Sequence, residues 1–275
     1  MSSLRRFIVS KLKPVISSKY VNILTDEKSM EIYEQSFVSS TANDALNYEV
    51  YEQMGDVSAN KFLVYYFYDR FPSLMCPLGV KVVARLKINY GSKKTFSRLA
   101  EKEGFWPYIK ASEEWKDKRR VDLLEDVFEA FIGATEYIVN SRIERGLGAV
   151  IVEKYLKRVF DAEPISLRYT DLYDSKTRLK ELMDKHGLQL GKIKYAETKE
   201  FAADGSAKTT SRVFLTGNGR HTTIGLGTGR IKSEAQRAAA EEAISTLNRR
   251  GYTKEEPPEY ALFALPNGSK VPSTP

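Results

Sequence analysis

Residues 123–134 read Leu123-Leu124-Glu125-Asp126-Val127-Phe128-Glu129-Ala130-Phe131-Ile132-Gly133-Ala134. Apolar side chains fall on nearly every helical face, which predicts a helix buried all round. Carboxylates in such a helix are anomalous. Asp126 and Glu129, three apart, share a face and lie close to the interior, and Glu125 is an equally good partner of Glu129 by spacing. Burying an unpaired carboxylate costs on the order of several kcal/mol, or leaves it protonated. A divalent cation shared with a second acidic helix would remove that cost.

A second acidic helix is present upstream, in Asn47-Tyr48-Glu49-Val50-Tyr51-Glu52-Gln53-Met54-Gly55-Asp56. Glu49, Glu52 and Asp56 stand at i, i+3 and i+7 and share one face, while Val50, Met54 and Val57 form an apolar face. Alone, such a stripe reads as a solvated acidic surface. Beside the 123–134 helix it reads as the other half of an oxygen-donor metal site. The rest of the sequence narrows the metal. With one cysteine, Cys76, and two histidines, His186 and His221, a Cys-based zinc site is excluded and His-based sites or triads are poor candidates. Mg²⁺, or Mn²⁺ in its place, suits carboxylates. A lone cysteine also forms no internal disulfide, which fits a reducing, cytoplasmic setting.

Around these two helices, apolar spacing predicts further helices near 28–38, 79–90, 93–103 and 146–160, with the acidic pair lying in helices at 48–70 and 118–140. Residues 161–174 read as a linker around Pro164. Beyond it the texture changes: a short helix Thr177–His186 closed by Gly187, strands at 192–199, 209–216 and 220–227 with a Gly217-Asn218-Gly219 turn, then an alanine-rich helix from Lys232 to Arg249. Residues 251–275 read as a mobile tail. The charge is equally divided in kind. Residues 176–250 hold 15 Lys/Arg against 8 Asp/Glu, so the whole net charge of +7 lies there, as in a polyanion-binding module. The acid-free stretch 1–25, with Arg5, Arg6, Lys11, Lys13 and Lys19, fits either a mitochondrial transit segment or, preferably, a basic helix with Phe7, Ile8 and Leu12 inward and a break at Pro14. No run is long enough to span a membrane.

The acidic stretch ending in Gly55-Asp56 and the later Asp126-x-x-Glu129-Ala-x-Ile-Gly resemble the two signature stretches of the ribonuclease III family, and Ser36-Phe37-Val38-Ser39-Ser40 stands where that family has a Phe-Thr-His-x-Ser-like stretch. The basic α-β-β-β-α segment is similar to a double-stranded RNA-binding domain. The resemblance covers about residues 30–250 in order and points to the compact bacterial or viral type. It implies an all-α nuclease domain over 26–160, joined by the linker 161–174 to an α+β RNA-binding domain over 175–250. It implies that Glu52, Asp56, Asp126 and Glu129 hold metal, with Asp56 and Glu129 directly catalytic, and that Glu49 is an accessory acid. The choice of Asp126 over Glu125 comes from this match alone. Val50-Tyr51 replaces the family's usual Arg-Leu. Gln53 replaces a Phe that helps to join two subunits.

In the second domain the resemblance implies three RNA-facing elements. These are the first helix, with Thr177, Lys180 and Glu181; the loop at 203–208, with Lys208; and the start of the last helix, with Arg230, Lys232 and Arg237. The loop lacks the family's Gly-Pro-x-His, and Ser233 replaces one of two adjacent lysines. The expectation is therefore a homodimeric, Mg²⁺-dependent endoribonuclease that cuts double-stranded RNA by a two-metal mechanism, leaving 5′-phosphate and 3′-hydroxyl ends, with no small-molecule cofactor. The alternative is a non-catalytic or ribosome-associated RNA binder on the same fold. Gly225-x-Gly227-x-Gly229 resembles a nucleotide loop superficially, but it precedes a basic RNA-binding helix, not a dinucleotide-binding one.

Overall fold

In the computed structural model, which describes residues 2–201, 207–217 and 220–263, the chain up to Ile165 is helical. Its elements are α1 (Ser3–Leu12), α2 (Ser18–Leu24), α3 (Glu27–Ser36), α4 (Glu49–Arg70), α5 (Gly79–Tyr90), α6 (Lys93–Glu103), α7 (Glu113–Lys118), α8 (Arg120–Arg142) and α9 (Leu147–Asp161). The described residues form two compact units that divide between Ile165 and Ser166. Among them no helix is long and apolar enough to cross a membrane.

The first unit is built around α8. Every residue from Val127 to Thr135 is buried, as an all-round apolar helix requires. Helices α3, α4, α6 and α9 pack against it, and aromatic rings fill the joints: Phe128 meets Phe96 and Phe105, and Phe131 meets Tyr33 and Tyr155. Two glycines set the crossing of α4 and α8. A Cβ on Gly55 would lie 1.8 Å from the Glu129 carbonyl oxygen, and one on Gly133 would lie 2.0 Å from that of Tyr51. The two backbones therefore touch, with no room for a side chain between them.

The second unit runs α10 (Tyr169–Leu172), α11 (Ser175–Leu190), β1 (Lys192–Phe201), β2 (Ala207–Gly217), β3 (Arg220–Gly229), α12 (Lys232–Arg249) and α13 (Pro258–Phe263). The sheet is antiparallel in the order β1-β2-β3, with a register shift at Val213/Phe214. Its core joins Leu179 and Leu182 of α11, Val213 and Ile224 of the sheet, and Ala239, Ala240 and Ala243 of α12. Cβ atoms on Gly225 and Gly227 would strike the backbone of α12 at Ala239, 2.1 and 2.2 Å away. The Gly-x-Gly-x-Gly pattern is thus a strand laid hard against a helix, not a nucleotide loop.

Several expected boundaries shift, each for a physical reason. The N-terminal stretch is two helices separated at Pro14, with Phe7, Ile8, Leu12, Val21 and Leu24 buried, so it packs as part of the first unit. The helix expected over 118–140 is α8, shifted to Arg120–Arg142, and a separate short helix, α7, precedes it and ends at Lys118. Gly187 does not close α11, which continues to Leu190 and stops at Gly191, where φ is 95°. The stretch 161–174 is not a bare linker. Glu163 is buried and held by Arg98 and Lys102, while Tyr169 and Leu172 are buried in the second unit. Nor are residues 251–263 a loose tail, since the buried rings of Tyr260 and Tyr169 pack together with Tyr173, and the Tyr173 and Tyr260 hydroxyls meet at 3.0 Å. Asn218, Gly219, the residues from Ala203 to Ser206 and the stretch 264–275 lie outside the described residues.

The glycine crossing yields a test. Gly133→Ala forces α4 and α8 apart, so it should destabilise the protein by at least ~3 kcal/mol, the upper range for overpacking. Urea denaturation checks this, and a loss under ~1 kcal/mol would show that the helices part easily.

Candidate functional site

The crossing at Gly55 and Gly133 brings the acidic face of α4 beside the carboxylates of α8. Glu129 is buried, at 7% exposure. Glu52 and Asp126 are half-buried, and Glu49 and Asp56 are exposed at the rim. Burial is the main cause that pushes Glu129 up from its ordinary 4.5 to about 8, and the charges of Asp56, Glu125, Glu52 and Asp126 add to it. Glu52 rises to about 7, first through burial and then through Asp126, Glu125 and Glu49. The acids of the two helices therefore form one electrostatic group. Among the described residues no three His, Cys, Asp or Glu side chains stand, as placed, close enough together to hold a metal ion. Side chains of like charge repel one another, which favours their standing apart.

Other residues orient the group. The Tyr48 hydroxyl donates to Asp126 Oδ2 at 2.7 Å. Asn60 Nδ2 donates to Asp56 Oδ1 at 2.6 Å from the next turn of α4. Lys93, at the start of α6, reaches Asp122 at 2.7 Å and Glu125 at 2.8 Å. Tyr48 and Lys93 were not anticipated from the sequence. Tyr48 adjoins the acidic stripe and carried no signal of its own, and Lys93 lies some thirty residues from its partners, beyond the reach of helical spacing. The stripe Val50, Met54 and Val57 turns outward, with 57%, 41% and 65% exposure, so the core of α4 is instead Ala59, Phe62, Leu63, Tyr66 and Phe67.

The donor set suits a hard divalent ion. Carboxylates are Mg²⁺ and Mn²⁺ ligands, and among the described residues no Lys or Arg forms an ion pair with Glu52, Asp56, Asp126 or Glu129. A cation is the partner that would relieve their burial and mutual repulsion.

In the second unit, Lys180, Lys208, Arg230 and Arg237 are exposed. Thr177 lies in the first turn of α11, where its amide donates to the Asp174 cap at 2.9 Å. Lys232 pairs with Glu197 at 3.2 Å. The helix α12 begins after Ile231 with no side-chain cap, and while its Glu234 and Ala235 amides donate to the Ile231 carbonyl at 3.2 Å, those of Lys232 and Ser233 stand at the helix start, where an anion is favoured. Glu181 is engaged within its own unit: the Tyr169 hydroxyl donates to it, and Lys254 pairs with it at 2.6 Å. Of the loop at 203–208, only Ala207 and Lys208 are described.

This arrangement, two acidic helices crossing at glycines and followed by a basic α-β-β-β-α unit, has known counterparts. The model of the Ribonuclease III domain matches residues 49–137. A candidate ribonuclease 3 of Invertebrate iridescent virus 6 is 37% identical over 94% of this chain and 92% of its own. One from Frog virus 3 is 39% identical over 87% of this chain, which spans 62% of that relative's length. The solved nuclease domain of ribonuclease III from Campylobacter jejuni aligns with 56% of this chain and 99% of its own, at 17% identity and a TM-score of 0.42. The chain belongs to the ribonuclease III family.

The raised carboxylates predict a pH dependence for the metal-free protein. A folded pKa of about 8 for Glu129, against an ordinary 4.5, means that the native state binds the extra proton between those values. Stability from this group is complete below about 4.5 and is lost as pH rises toward 8. In EDTA, the urea midpoint should therefore fall from pH 5 to pH 8, and Glu129→Gln should flatten the fall and be at least as stable at pH 8. Identical slopes for both proteins would contradict this burial of charge.

Proposed function

We propose that the chain is an endoribonuclease that hydrolyses phosphodiester bonds of double-stranded RNA, with Mg²⁺ held by Glu52, Asp56, Asp126 and Glu129, and with Mn²⁺ able to substitute. The observation that carries this reading is the meeting of buried and half-buried carboxylates from α4 and α8 where no protein cation pairs with them. When bound, two divalent ions supply an activated water and neutralise charge on the leaving oxygen. The chain's own residues do the rest. Glu129, at the glycine crossing, is the most buried of these acids, and together with Asp56 at the rim it would act directly on the reacting phosphate. Tyr48 fixes the Asp126 carboxylate and Asn60 fixes that of Asp56. Glu49 adds negative charge at the edge, where it strengthens the pull on cations.

The second unit holds the duplex. Its exposed Lys180, Lys208, Arg230 and Arg237, with the uncapped N-terminus of α12 beside Lys232, suit the phosphates and 2′-hydroxyls through which A-form RNA is read. Thr177 would take the minor groove. Glu181 contributes only if Lys254 and Tyr169 release it. Two copies joined through Val50, Met54 and Val57, with Gln53 at the same face, would place one active site on each strand and leave 5′-phosphate and 3′-hydroxyl ends. The exposed apolar stripe supports that homodimer.

The decisive test pairs metal with mutation. Purified protein should cleave long duplex RNA with Mg²⁺ and not in EDTA. Glu129→Gln keeps size and helix propensity but removes one negative charge, so it should lower cleavage by ~100-fold or more while duplex binding persists. Full cleavage in chelator, or a near wild-type Glu129→Gln, would place catalysis at a different site, and no cleavage with either Mg²⁺ or Mn²⁺ would favour the non-catalytic binder.

A further inference from the structure

Glu125 and Asp126 are adjacent, half-buried acids on α8, one turn before the buried Glu129. Spacing permits either as the partner of Glu129, so something other than helical geometry must decide. Here the two neighbours receive different partners. Asp126 accepts a hydrogen bond from a neutral phenol, Tyr48. Glu125, whose side chain is 14% exposed, meets the ammonium of Lys93 at 2.8 Å, and the same ammonium reaches Asp122 at 2.7 Å. Lys93 is well anchored for this role. It opens α6 directly after Ser92, and α6 is held on α8 by Phe96 against Phe128, with ring centroids 5.6 Å apart. Arg119 also approaches Asp122, at 3.4 Å, which keeps the far side of the bridge in place.

We infer that Lys93 is a positioning residue that holds Glu125 away from the metal and thereby reserves Asp126 as the ligand from this pair; this rests on reading Glu52, Asp56, Asp126 and Glu129 as the metal-holding set. A carboxylate already neutralised by an ammonium must lose that partner before it can bind an ion. Asp126 takes its hydrogen bond from a neutral donor, and among the described residues neither it nor Glu52 nor Glu129 is in ion-pair contact with an ammonium or guanidinium, although the charge of Lys93 also acts on Asp126 and Glu52 from beyond contact. The bridge therefore limits the negative charge offered to the metal and prevents a fifth acid from competing with water or phosphate for a coordination position. Removing the ammonium frees Glu125 to join the set. The ions are then held more tightly and in a ligand arrangement less suited to turnover.

The experiment uses the full chain and measures Mn²⁺ binding by calorimetry beside Mg²⁺-dependent cleavage. Lys93→Met should bind Mn²⁺ about 10-fold more tightly and show a kcat about 10-fold lower, the scale on which residues behind metal ligands act. Lys93→Arg, which can keep the bridge, should resemble wild type in both. The double variant Lys93→Met with Glu125→Gln should return both affinity and kcat toward wild type, which loss of a merely structural bridge would not do. If Lys93→Met fails to fold, Lys93→Gln carries the same expectations. Unchanged or weaker Mn²⁺ binding, or no rescue by Glu125→Gln, overturns the inference. A rise confined to KM for RNA, without rescue, would make Lys93 a phosphate contact instead. Wild-type protein that binds no Mn²⁺ would fault the reading of the four carboxylates and not the role of Lys93.

Discussion

The contact on which the first unit depends is the bare crossing of two backbones, Gly55 of α4 against Glu129 and Gly133 of α8 against Tyr51. Helices usually pack at 8–10 Å because side chains separate them, and glycines remove that spacer. The consequence is chemical as well as steric. Glu52 and Asp56 flank Gly55, and Glu129 lies one turn before Gly133, so the closest approach of the helices coincides with the greatest density of acid. The aromatic packing of α8 against Phe96, Phe105, Tyr33 and Tyr155 resists the repulsion that follows. A fold that invests its most buried helix in carboxylates is less stable without a cation than it could be, as in the usual exchange of stability for activity.

The second unit solves a different problem. Its sheet and α12 approach closely through Gly225, Gly227 and the alanines Ala239 and Ala243, which leaves the charged residues outside. The segment after α12 then runs back beside α11. The Thr253 carbonyl meets His186 at 2.8 Å and Lys185 at 3.2 Å, Lys254 pairs with Glu181, and Tyr260 packs with Tyr169 and Tyr173. Residues before and after the α-β-β-β-α core are thereby tied to each other, which makes the unit larger than that core alone.

Much of this was legible in the sequence. The all-round apolar character of 123–134 located the central helix, the i, i+3, i+7 acids located its partner, and the concentration of charge in 176–250 located the basic unit. What stayed hidden was long-range. Helical periodicity cannot report that Lys93 meets Glu125, or that Tyr48 meets Asp126. Nor can it show that Val50, Met54 and Val57 face outward, because an apolar stripe looks the same whether it meets a core or a second subunit. The packed residues 251–263 were missed because Pro257-Pro258 reads as a breaker, although Pro258 merely opens α13, where proline is tolerated. Gly187 misled for the converse reason, since a glycine within a helix costs only about 1 kcal/mol relative to alanine and need not end it.

In the proposed nuclease site, the bridge from Lys93 to Glu125 and the hydrogen bond from Tyr48 to Asp126 select Asp126, and not its neighbour, as the metal ligand. Cleavage of long duplex RNA by Asp126→Asn and Glu125→Gln, measured side by side at saturating Mg²⁺ with both proteins shown to be folded, tests this selection most directly. Asp126→Asn should be nearly inactive and Glu125→Gln should keep most of its activity; an inactive Glu125→Gln beside an active Asp126→Asn would contradict the selection of Asp126.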